Sequence, residues 1–166
     1  TMIHIYKKRV TSTQEILKEN YKTMSHGTFL CAGYQTKGHG QFDRKWESLE
    51  DHNVLCSLLI KNNKTYEDIQ IQVSLLMMDL LKKYGIKTTF KEPNDVMYHD
   101  KKLCGILVDQ IILGSTIEAI VIGIGLNVNQ VEFQHDIATS MAIIKKNTFD
   151  LESIKYEVYD TLKRFL

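Results

Sequence analysis

The chain of 166 residues is 43% hydrophobic and 25% charged, which provides enough apolar material for one buried core. Its formal net charge of +1 excludes a broad basic surface for nucleic acid, and we expect no DNA partner. The sequence has no signal peptide and no run of about 18 apolar residues, so we expect a cytoplasmic protein without a membrane partner. We expect a single domain over residues 1–166.

The cysteines argue against a disulfide-stabilised fold. Cys31, Cys56 and Cys104 all lie in apolar runs, and none is part of a CxxC motif. Because their number is odd, they cannot form a complete set of disulfides. We expect them to be buried thiols in a reducing compartment.

Hydrophobic spacing in the first half of the chain predicts two helices with two strands between them. Ser12 and Glu15 have the spacing of a capping box, and the apolar residues that follow lie on roughly one face. A longer segment is apolar nearly all round a helix and is followed by Gly85, a residue typical of helix ends. The predicted elements are a helix over about 12–23, strands over 28–35 and 53–60, and a central helix over 65–84.

The second half of the chain predicts a strand meander and a final helix. The short turn sequences EPND, DKK and GS separate apolar segments, which is typical of antiparallel strands joined by tight turns. Apolar residues recur at helical spacing after Asp150. The predicted strands cover 87–91, 96–99, 103–113 and 116–125. Together the elements predict an α+β fold in which a mixed, largely antiparallel sheet is covered by helices on one side.

The loop between the first two predicted strands, GYQTKGHGQFDRKW, has the composition of a binding loop. Gly38 and Gly40 lack a Cβ, so the backbone N–H groups around them could approach an anion closely. Arg44 and Lys45 add positive charge, which favours a phosphate. The Walker pattern GxxxxGK[ST] is absent, and a solvated turn with a basic rim remains an alternative interpretation. Trp46 is either a core residue or a face on which adenine could stack.

Three further motifs place polar residues or glycines next to predicted strands. In KEPND, Pro93 predicts a rigid corner, while Asp95 could hold Mg²⁺ or orient a polar substrate. Lys102 opens KLCGILVD, where its ammonium could neutralise a carboxylate or an α-phosphate, although an exposed turn lysine is the simpler interpretation. The segment GIGLN ends a strand and is not followed by a helical pattern, which disfavours a Rossmann fold.

Taken together and in this order, the motifs resemble those of the biotin protein ligase family, in its catalytic domain, over about residues 10–130. The family loop pattern GRGRRGRKW corresponds here to GHGQFDRKW, and STQ at 12–14 precedes it. The family motifs KWPND, KLAGILVE and GxGxN correspond to KEPND, KLCGILVD and GIGLN. The motifs agree in order and spacing as well as in residue type.

This resemblance implies an enzyme with biotin and ATP as substrates, a requirement for Mg²⁺, and the biotin/lipoate ligase catalytic-domain fold. The biotin carboxylate would attack the α-phosphorus of ATP, giving biotinyl-5′-AMP and pyrophosphate. A lysine of a biotin carboxyl carrier protein or domain would then attack the acyl carbon. Both steps depend mainly on aligning two anions and stabilising developing charge.

The resemblance also implies roles for residues at matching motif positions. The polar residues of the first helix and strand would hydrogen-bond the ureido ring of biotin, and Lys102 would bridge the biotin carboxyl group and the α-phosphate. The implied catalytic residues are Lys102, Arg44 and Asp95. The implied biotin-binding residues are Ser12, Thr13, Gln14, Gln35, Gly38, His39, Gly40, Gln41, Lys102, Gly105, Leu107 and Gly123. The implied ATP-binding residues are Arg44, Lys45, Trp46 and Asn127, and the implied metal ligands are Asn94 and Asp95.

The chain departs from the family pattern at several positions with chemical consequences. His39 and Gln41 stand where the family loop carries arginines, and Asp43 replaces a glycine. Because arginine makes charged, often bidentate hydrogen bonds, we expect a site that retains its adenylate less well and labels nearby lysines promiscuously. Glu92 replaces a tryptophan, which would place a negative charge near two anionic substrates.

Other functions remain open on this sequence. Lipoate and octanoate ligases or transferases share the fold, although their RRxxGGG-like glycine run is missing here. A catalytically weakened biotin-binding or sensor protein is the other alternative, against which the retained Arg44, Asp95 and Lys102 argue. We also expect neither the N-terminal helix-turn-helix region nor the small C-terminal β-barrel of larger relatives. A homodimer formed through the long strand at 116–125 is a further hypothesis.

Overall fold

The computed structural model describes residues 3–166, apart from the side chain of Asp43. Within these residues, a seven-stranded sheet has the order β1-β2-β3-β7-β6-β5-β4. The strands are β1 (Ile3–Val10), β2 (Thr28–Gln35), β3 (Val54–Ile60), β4 (Thr89–Lys91), β5 (Asp95–Tyr98), β6 (Lys101–Leu113) and β7 (Thr116–Leu126). The β1 and β2 strands are parallel, and the other neighbours are antiparallel. The prediction of a mixed, largely antiparallel α+β sheet is therefore confirmed.

Helices pack on both faces of this sheet. They are α1 (Thr13–Asn20), α2 (Ile69–Lys83), α3 (Met141–Lys145) and α4 (Leu151–Leu162), with short 3-10 turns at Gln41–Asp43 and Lys163–Phe165. Side-chain caps start three of them: the side-chain oxygens of Ser12, Ser140 and Asp150 accept from the N–H groups of Glu15, Ile143 and Glu152. Gly85, at φ +75°, follows α2 in the left-handed conformation that ends many helices.

Side-chain alternation along the central strands divides the sheet into two faces with different partners. One face packs against α2 and α4 in the main core, where Leu58, Ile122 and Val158 are fully buried and each contributes roughly 1.5–3 kcal/mol. The opposite face packs against α1 around Leu17 and Val121. Beyond α1, that face carries a serine and three glycines, Ser57, Gly105, Gly123 and Gly125, at positions where larger side chains would fill the space. This leaves a depression in the sheet, and the depression positions the candidate site.

Two predictions about this architecture are wrong. The helices do not lie on one side, because α1 connects the parallel strands β1 and β2 across the face opposite α2 and α4. The strand expected to join a homodimer, β7, lies between β3 and β6 and is hydrogen-bonded on both sides. In the described part of the chain, the edges of the sheet are β1 and β4. A dimer formed by strand pairing would have to use one of these edges.

Some features of the fold were missed from the sequence. The β1 strand is largely exposed and carries charged residues such as Lys7 and Arg9, so it has no apolar periodicity and forms through pairing with β2. The α3 helix has five residues and is too short for a periodic pattern. The α2 helix begins at Ile69 instead of residue 65, because Asp68 before it adopts a left-handed conformation with φ +48°.

The cysteines are buried and form no disulfides, as expected. Burial raises the pKa of the Cys104 thiol to about 12. Burial, together with the side chain of Cys31 on the neighbouring strand, which acts as acceptor for the Cys56 thiol, also raises the pKa of Cys56. Between residues 3 and 166, no helix is both long enough and apolar enough to cross a bilayer.

Candidate functional site

A pocket lies on the α1 face of the sheet, where α1 meets the central strands. Its floor is formed by β6 and β7, in which Gly105 pairs with Gly125 and Leu107 pairs with Gly123. Its cavity volume is about 50 Å³, or about 470 Å³ when the open space at its mouth is included. The implied biotin-binding residues that line it are Ser12, Thr13, Gln14, Gln35, His39, Gly40, Lys102, Gly105, Leu107 and Gly123. We call it the polar pocket.

One wall of the polar pocket is a chain of hydrogen-bonded polar side chains. Gln35 Oε1 accepts from the Thr13 N–H at 2.8 Å, and Thr13 Oγ1 lies 2.8 Å from Ser57 Oγ. Ser57 Oγ donates in turn to Gln14 Oε1 at 2.8 Å. Because Ser57 uses its single proton for Gln14, its oxygen can only accept from Thr13, whose own hydroxyl proton can go to Ser57 or to Gln35 Oε1 at 3.1 Å. Thr13, Gln14 and Ser57 are at most 5% exposed, so this wall is polar but desolvated.

Gln14 is held with its amide oxygen on the pocket side. Its Nε2 lies 3.1 Å from Leu107 O, 3.0 Å from Val121 O and 3.0 Å from Asp109 Oδ2, all of which are acceptors. A Cβ at Gly123 would come within 2.5 Å of Gln14 Oε1, so the amide lies directly on this glycine. Hydrogen bonding therefore fixes the orientation of the amide, and the missing Cβ provides its space.

Trp46 closes the other end of the polar pocket. A Cβ at Gly125 would lie 2.7 Å from Trp46 Cε2, and a Cβ at Gly105 would lie 2.9 Å from Trp46 Cζ3. The indole therefore rests directly on the backbone of β6 and β7, which the absence of side chains at these positions permits. Trp46 Nε1 is buried without a hydrogen-bond partner among the residues that the structure describes, which leaves a donor available for a bound molecule.

Lys102 and Asp95 form an ion pair beside Trp46. Lys102 Nζ lies 2.6 Å from Asp95 Oδ1, although the angles are not those of a hydrogen bond. The two side chains are 28% and 14% exposed, so solvent screens the pair only in part. Lys102 Nζ also lies 5.2 Å from the centre of the Trp46 ring. The Lys102 N–H donates to Ile137 O and its carbonyl accepts from the Thr139 N–H, which fixes the backbone.

The glycine loop, residues 38–46, folds back on itself as a small hairpin. Its closing hydrogen bonds run from the Gly40 N–H to Arg44 O (2.7 Å) and from the Trp46 N–H to Gly38 O (3.0 Å). Phe42 lies at the exposed tip with φ +57°. His39 Nε2 lies 3.2 Å from Glu15 Oε1 on α1. This contact attaches the loop to the helix that borders the polar pocket.

Charged groups continue from this contact along α1 to β6. Lys18 Nζ lies 3.2 Å from Glu15 Oε1 and 3.6 Å from Asp109 Oδ2. Burial lowers the pKa of Lys18, but the hydrogen bond to Glu15 and the charges of Asp109 and Glu15 outweigh it and raise the pKa overall. The Lys18 ammonium therefore stays charged between two carboxylates.

A second cavity, which we call the outer cleft, begins on the other side of Trp46. Its volume is about 300 Å³, and Arg44, Lys45, Asp95, Lys102 and Asn127 are among its lining residues. Asn127 Nδ2 donates to Thr139 O at 3.0 Å, whereas the buried Oδ1 has no hydrogen-bond partner within residues 3–166. Oδ1 is therefore free to accept from an amino group of a bound molecule.

Asn94 and Asp95 offer the oxygen ligands that Mg²⁺ prefers. Asn94 lines the polar pocket and Asp95 lines the outer cleft. Among the described residues, no group of three or more His, Cys, Asp or Glu side chains could hold a metal ion. The donor set fits a Mg²⁺ ion bound mainly by water and by substrate phosphates, which is the usual mode for this ion.

The structure places some residues of interest away from both cavities. Gly38 lines neither of them, and its carbonyl closes the loop hairpin. Gln41 lies in a smaller recess of the loop. Glu92 is exposed and lines neither cavity, and its effect on the substrates stays a prediction. The departure at Asp43 concerns a side chain outside the described residues.

Other residues of the site were missed from the sequence, although each stood within a noted segment. Ser57 is the polar residue of the strand NVLCSLLI, Gly125 is the second glycine of GIGLN, and Asp109 ends KLCGILVD. Ser57 and Gly125 line the polar pocket, and Asp109 supports its wall through Gln14. Which face of the sheet each residue occupies depends on strand register, which composition does not reveal.

Comparison with known proteins identifies the family to which this fold and site correspond. The model of the Biotin/lipoate A/B protein ligase family matches residues 6–127. The chain belongs to this family. The resemblance expected from the motifs is confirmed, and all lining residues of the polar pocket lie within the part of the chain that matches the family. The outer cleft extends beyond it to Ala138.

The chain is also similar to individual ligases of this family. The bifunctional ligase/repressor BirA of Bacillus subtilis is 32% identical over 148 residues, which cover 83% of this chain and 46% of that protein. BirA of Escherichia coli is 33% identical over 124 residues, which cover 71% of this chain and 38% of that protein. The structure of a biotin protein ligase from Aquifex aeolicus in complex with biotin and ATP matches with a TM-score of 0.85 and 31% identity, over 99% of this chain and 70% of that one. The chain thus spans less than half the length of these two curated relatives.

Proposed function

We propose that the chain acts as an ATP-dependent biotin protein ligase. In the first step, a carboxylate oxygen of biotin attacks the α-phosphorus of ATP. A bond forms between this oxygen and the α-phosphorus, the bond from the α-phosphorus to the bridging oxygen breaks, and pyrophosphate leaves. The product is biotinyl-5′-AMP. Alignment of the two anions and stabilisation of the developing charge account for most of the catalysis in such a step.

The observation that carries this proposal is the position of Lys102 where the two cavities meet. Lys102 and Trp46 line both the polar pocket and the outer cleft. An acid whose ring occupies the pocket would present its carboxylate at this junction to a nucleotide in the cleft. The ammonium of Lys102 can then contact the carboxylate and the α-phosphate together, which offsets their repulsion.

The polar wall of the pocket supports biotin as the acid. The ureido ring of biotin offers N–H donors and a carbonyl acceptor, which match the amide and hydroxyl groups of Thr13, Gln14 and Gln35. Lipoate and octanoate, the alternative acids, end in a dithiolane or an alkyl chain and offer no N–H donor to the Gln14 Oε1 lone pair that Ser57 leaves free. A typical hydrogen bond contributes about 0.5–1.5 kcal/mol, which favours the ureido compound.

The groups around the junction suit ATP. Arg44 and Lys45 would hold the phosphates, and Asn127 Oδ1 would accept from the amino group of adenine, since it is buried without a partner in the described chain. Asn94 and Asp95 would hold Mg²⁺, which when bound supplies charge neutralisation on the phosphates.

In the second step, the amine of a lysine on a biotin carboxyl carrier domain attacks the acyl carbon of the adenylate. An amide C–N bond forms, the C–O bond to the phosphate breaks, AMP leaves, and the amine loses a proton. The ligase from Aquifex aeolicus that holds biotin and ATP supports the pairing of these two substrates. The carrier domain as acceptor follows from the family resemblance.

The half-reaction without an acceptor tests the proposal first. The purified chain is mixed with biotin, ATP and Mg²⁺, and biotinyl-AMP and pyrophosphate are measured by mass spectrometry, with lipoate and octanoate in parallel. We expect both products to form with biotin and neither to form with lipoate or octanoate. Product with another acid only would assign the sister activity, and biotin binding without product would indicate a sensor. A carrier domain, with its target lysine or with arginine in its place, then tests the transfer step.

A further inference from the structure

Asp109 has no role in the proposed catalytic steps. It lies on β6 opposite Val121 and is seven residues from Lys102, which corresponds to roughly 23 Å along a strand. It does not line the polar pocket. Its Oδ2 nevertheless lies 3.0 Å from Gln14 Nε2 and 3.6 Å from Lys18 Nζ, behind the pocket wall.

We propose that Asp109 is a positioning residue that acts through Gln14 to set the hydrogen-bond polarity of the polar pocket, and thereby its affinity for a ureido ring. This inference rests on the proposed function, because it concerns the acid that the same site would bind.

The two ends of the Gln14 amide have different hydrogen-bonding roles. An ionised carboxylate only accepts hydrogen bonds, so Asp109 can pair with the Nε2 end of Gln14 but not with the Oε1 end. The carbonyls of Leu107 and Val121 impose the same choice, and the carboxylate adds the strength of a charged acceptor. The amide oxygen must therefore face Ser57 across Gly123.

This orientation propagates along the wall. Ser57 donates its proton to Gln14 Oε1, so its oxygen is left to accept from Thr13. The donor directions from Asp109 to Ser57 are thus set in sequence, and Thr13 can donate to Ser57 or to Gln35 Oε1. The two N–H protons of Gln14 share three acceptors, of which Asp109 is the anion, and an N–H donated to this carboxylate polarises the amide and makes its oxygen a better acceptor.

The orientation of the Gln14 amide determines which hydrogen bond the pocket offers to a ligand. Gln14 Oε1 uses one lone pair for Ser57 and retains a second lone pair for an N–H donor in the pocket. A ureido N–H supplies such a donor, whereas a dithiolane or alkyl group does not. The charge of Asp109 should therefore matter for binding biotin, and it should not matter for binding ATP in the outer cleft or for the chemistry at Lys102.

The test is Asp109→Asn in the adenylation half-reaction, because this change removes the charge and keeps the shape. We expect the KM for biotin to rise about tenfold, with the KM for ATP and the kcat at saturating biotin unchanged. In a Gln14→Ala background, Asp109→Asn should have no further effect, since its route passes through Gln14. Asp109→Glu keeps the charge and should return the KM for biotin towards the wild-type value. Asp79→Asn, an exposed position on α2, is the matched control.

Several results would overturn the inference. An unchanged KM for biotin in Asp109→Asn is one, and an effect that persists in Gln14→Ala is another. An equal rise in the KM for ATP would indicate general damage and would also overturn it. If Asp109→Asn does not fold, Asp109→Ser is measured with the same expectations.

The inference and the proposed function can fail separately. If the wild-type chain forms no adenylate, the affinity for biotin is measured by calorimetry in place of KM. Absence of biotin binding would refute the proposed function. Equal biotin binding by the wild-type chain and Asp109→Asn would refute the role of Asp109 alone.

Discussion

Replacing Lys102 by alanine should slow adenylation by a factor of about 10²–10³, because one preorganised donor aimed at developing charge contributes about 2.7–4 kcal/mol. The geometry adds a second effect. Asp95 Oδ1 lies 2.6 Å from Lys102 Nζ, and the Asp95 side chain is 14% exposed, so the variant would leave this carboxylate without its partner. Two opposite unit charges about 4 Å apart, at an effective dielectric constant of about 20, attract each other by about 4 kcal/mol. The loss of this attraction is similar in size to the loss of the donor.

Single-turnover formation of biotinyl-AMP at saturating biotin and ATP separates the chemical step from binding. Lys101→Ala is the matched control, because Lys101 is adjacent in sequence, pairs with the exposed Asp136 and lines neither cavity. It should react at the wild-type rate. An unchanged rate in Lys102→Ala, or an equal loss in Lys101→Ala, would refute the reasoning.

Three other predictions follow from the site and the core. Gly125→Ala places a Cβ 2.7 Å from Trp46 Cε2, whereas ordinary contact begins at 3.4 Å. We therefore expect kcat/KM to fall about 10–100-fold. A further fall when Gly125→Ala is added to Trp46→Ala would contradict a clash with Trp46 as the cause. Because His39 and Gln41 replace arginines of the family loop, biotin should appear on bystander albumin when no carrier is present, and labelling confined to the carrier lysine would count against a leaky site. The cysteines should resist a disulfide reagent in the native chain at mildly alkaline pH and react fully in denaturant. All three thiols are buried, and those of Cys56 and Cys104 become abundant as thiolates only as the pH rises towards their raised pKa, about 12 for Cys104. Rapid reaction of the native chain would show that the core opens readily.

Secondary structure could be predicted from the sequence wherever the cause is local. The Ser12 cap, the helix end at Gly85 and the strands of the β6–β7 hairpin depend on residues close together in the chain, and the structure confirms them. The edge strand β1 could not be predicted in the same way. Its exposed, charged surface carries no pattern, and it forms because β2 offers hydrogen bonds from a distant part of the chain.

The candidate site, too, could be predicted only in part from the sequence. Family motifs identified its glycines, Lys102 and Trp46, because residue type and spacing record the chemistry that a site requires. Ser57 lay in a predicted strand and Asp109 in the motif KLCGILVD, but neither segment revealed a part in the wall, since Ser57 lies 43 residues and Asp109 lies 95 residues from Gln14.

The sequence by itself therefore determined the family, the α+β class and the chemical groups available for binding two anions. Only the tertiary structure decided which groups meet. A shift of one residue in strand register would turn Ser57 and Gly123 to the opposite face, and α1 would then lose the surface on which Gln14 lies. Register and helix placement depend on packing summed over the whole sheet, so no short motif contains them.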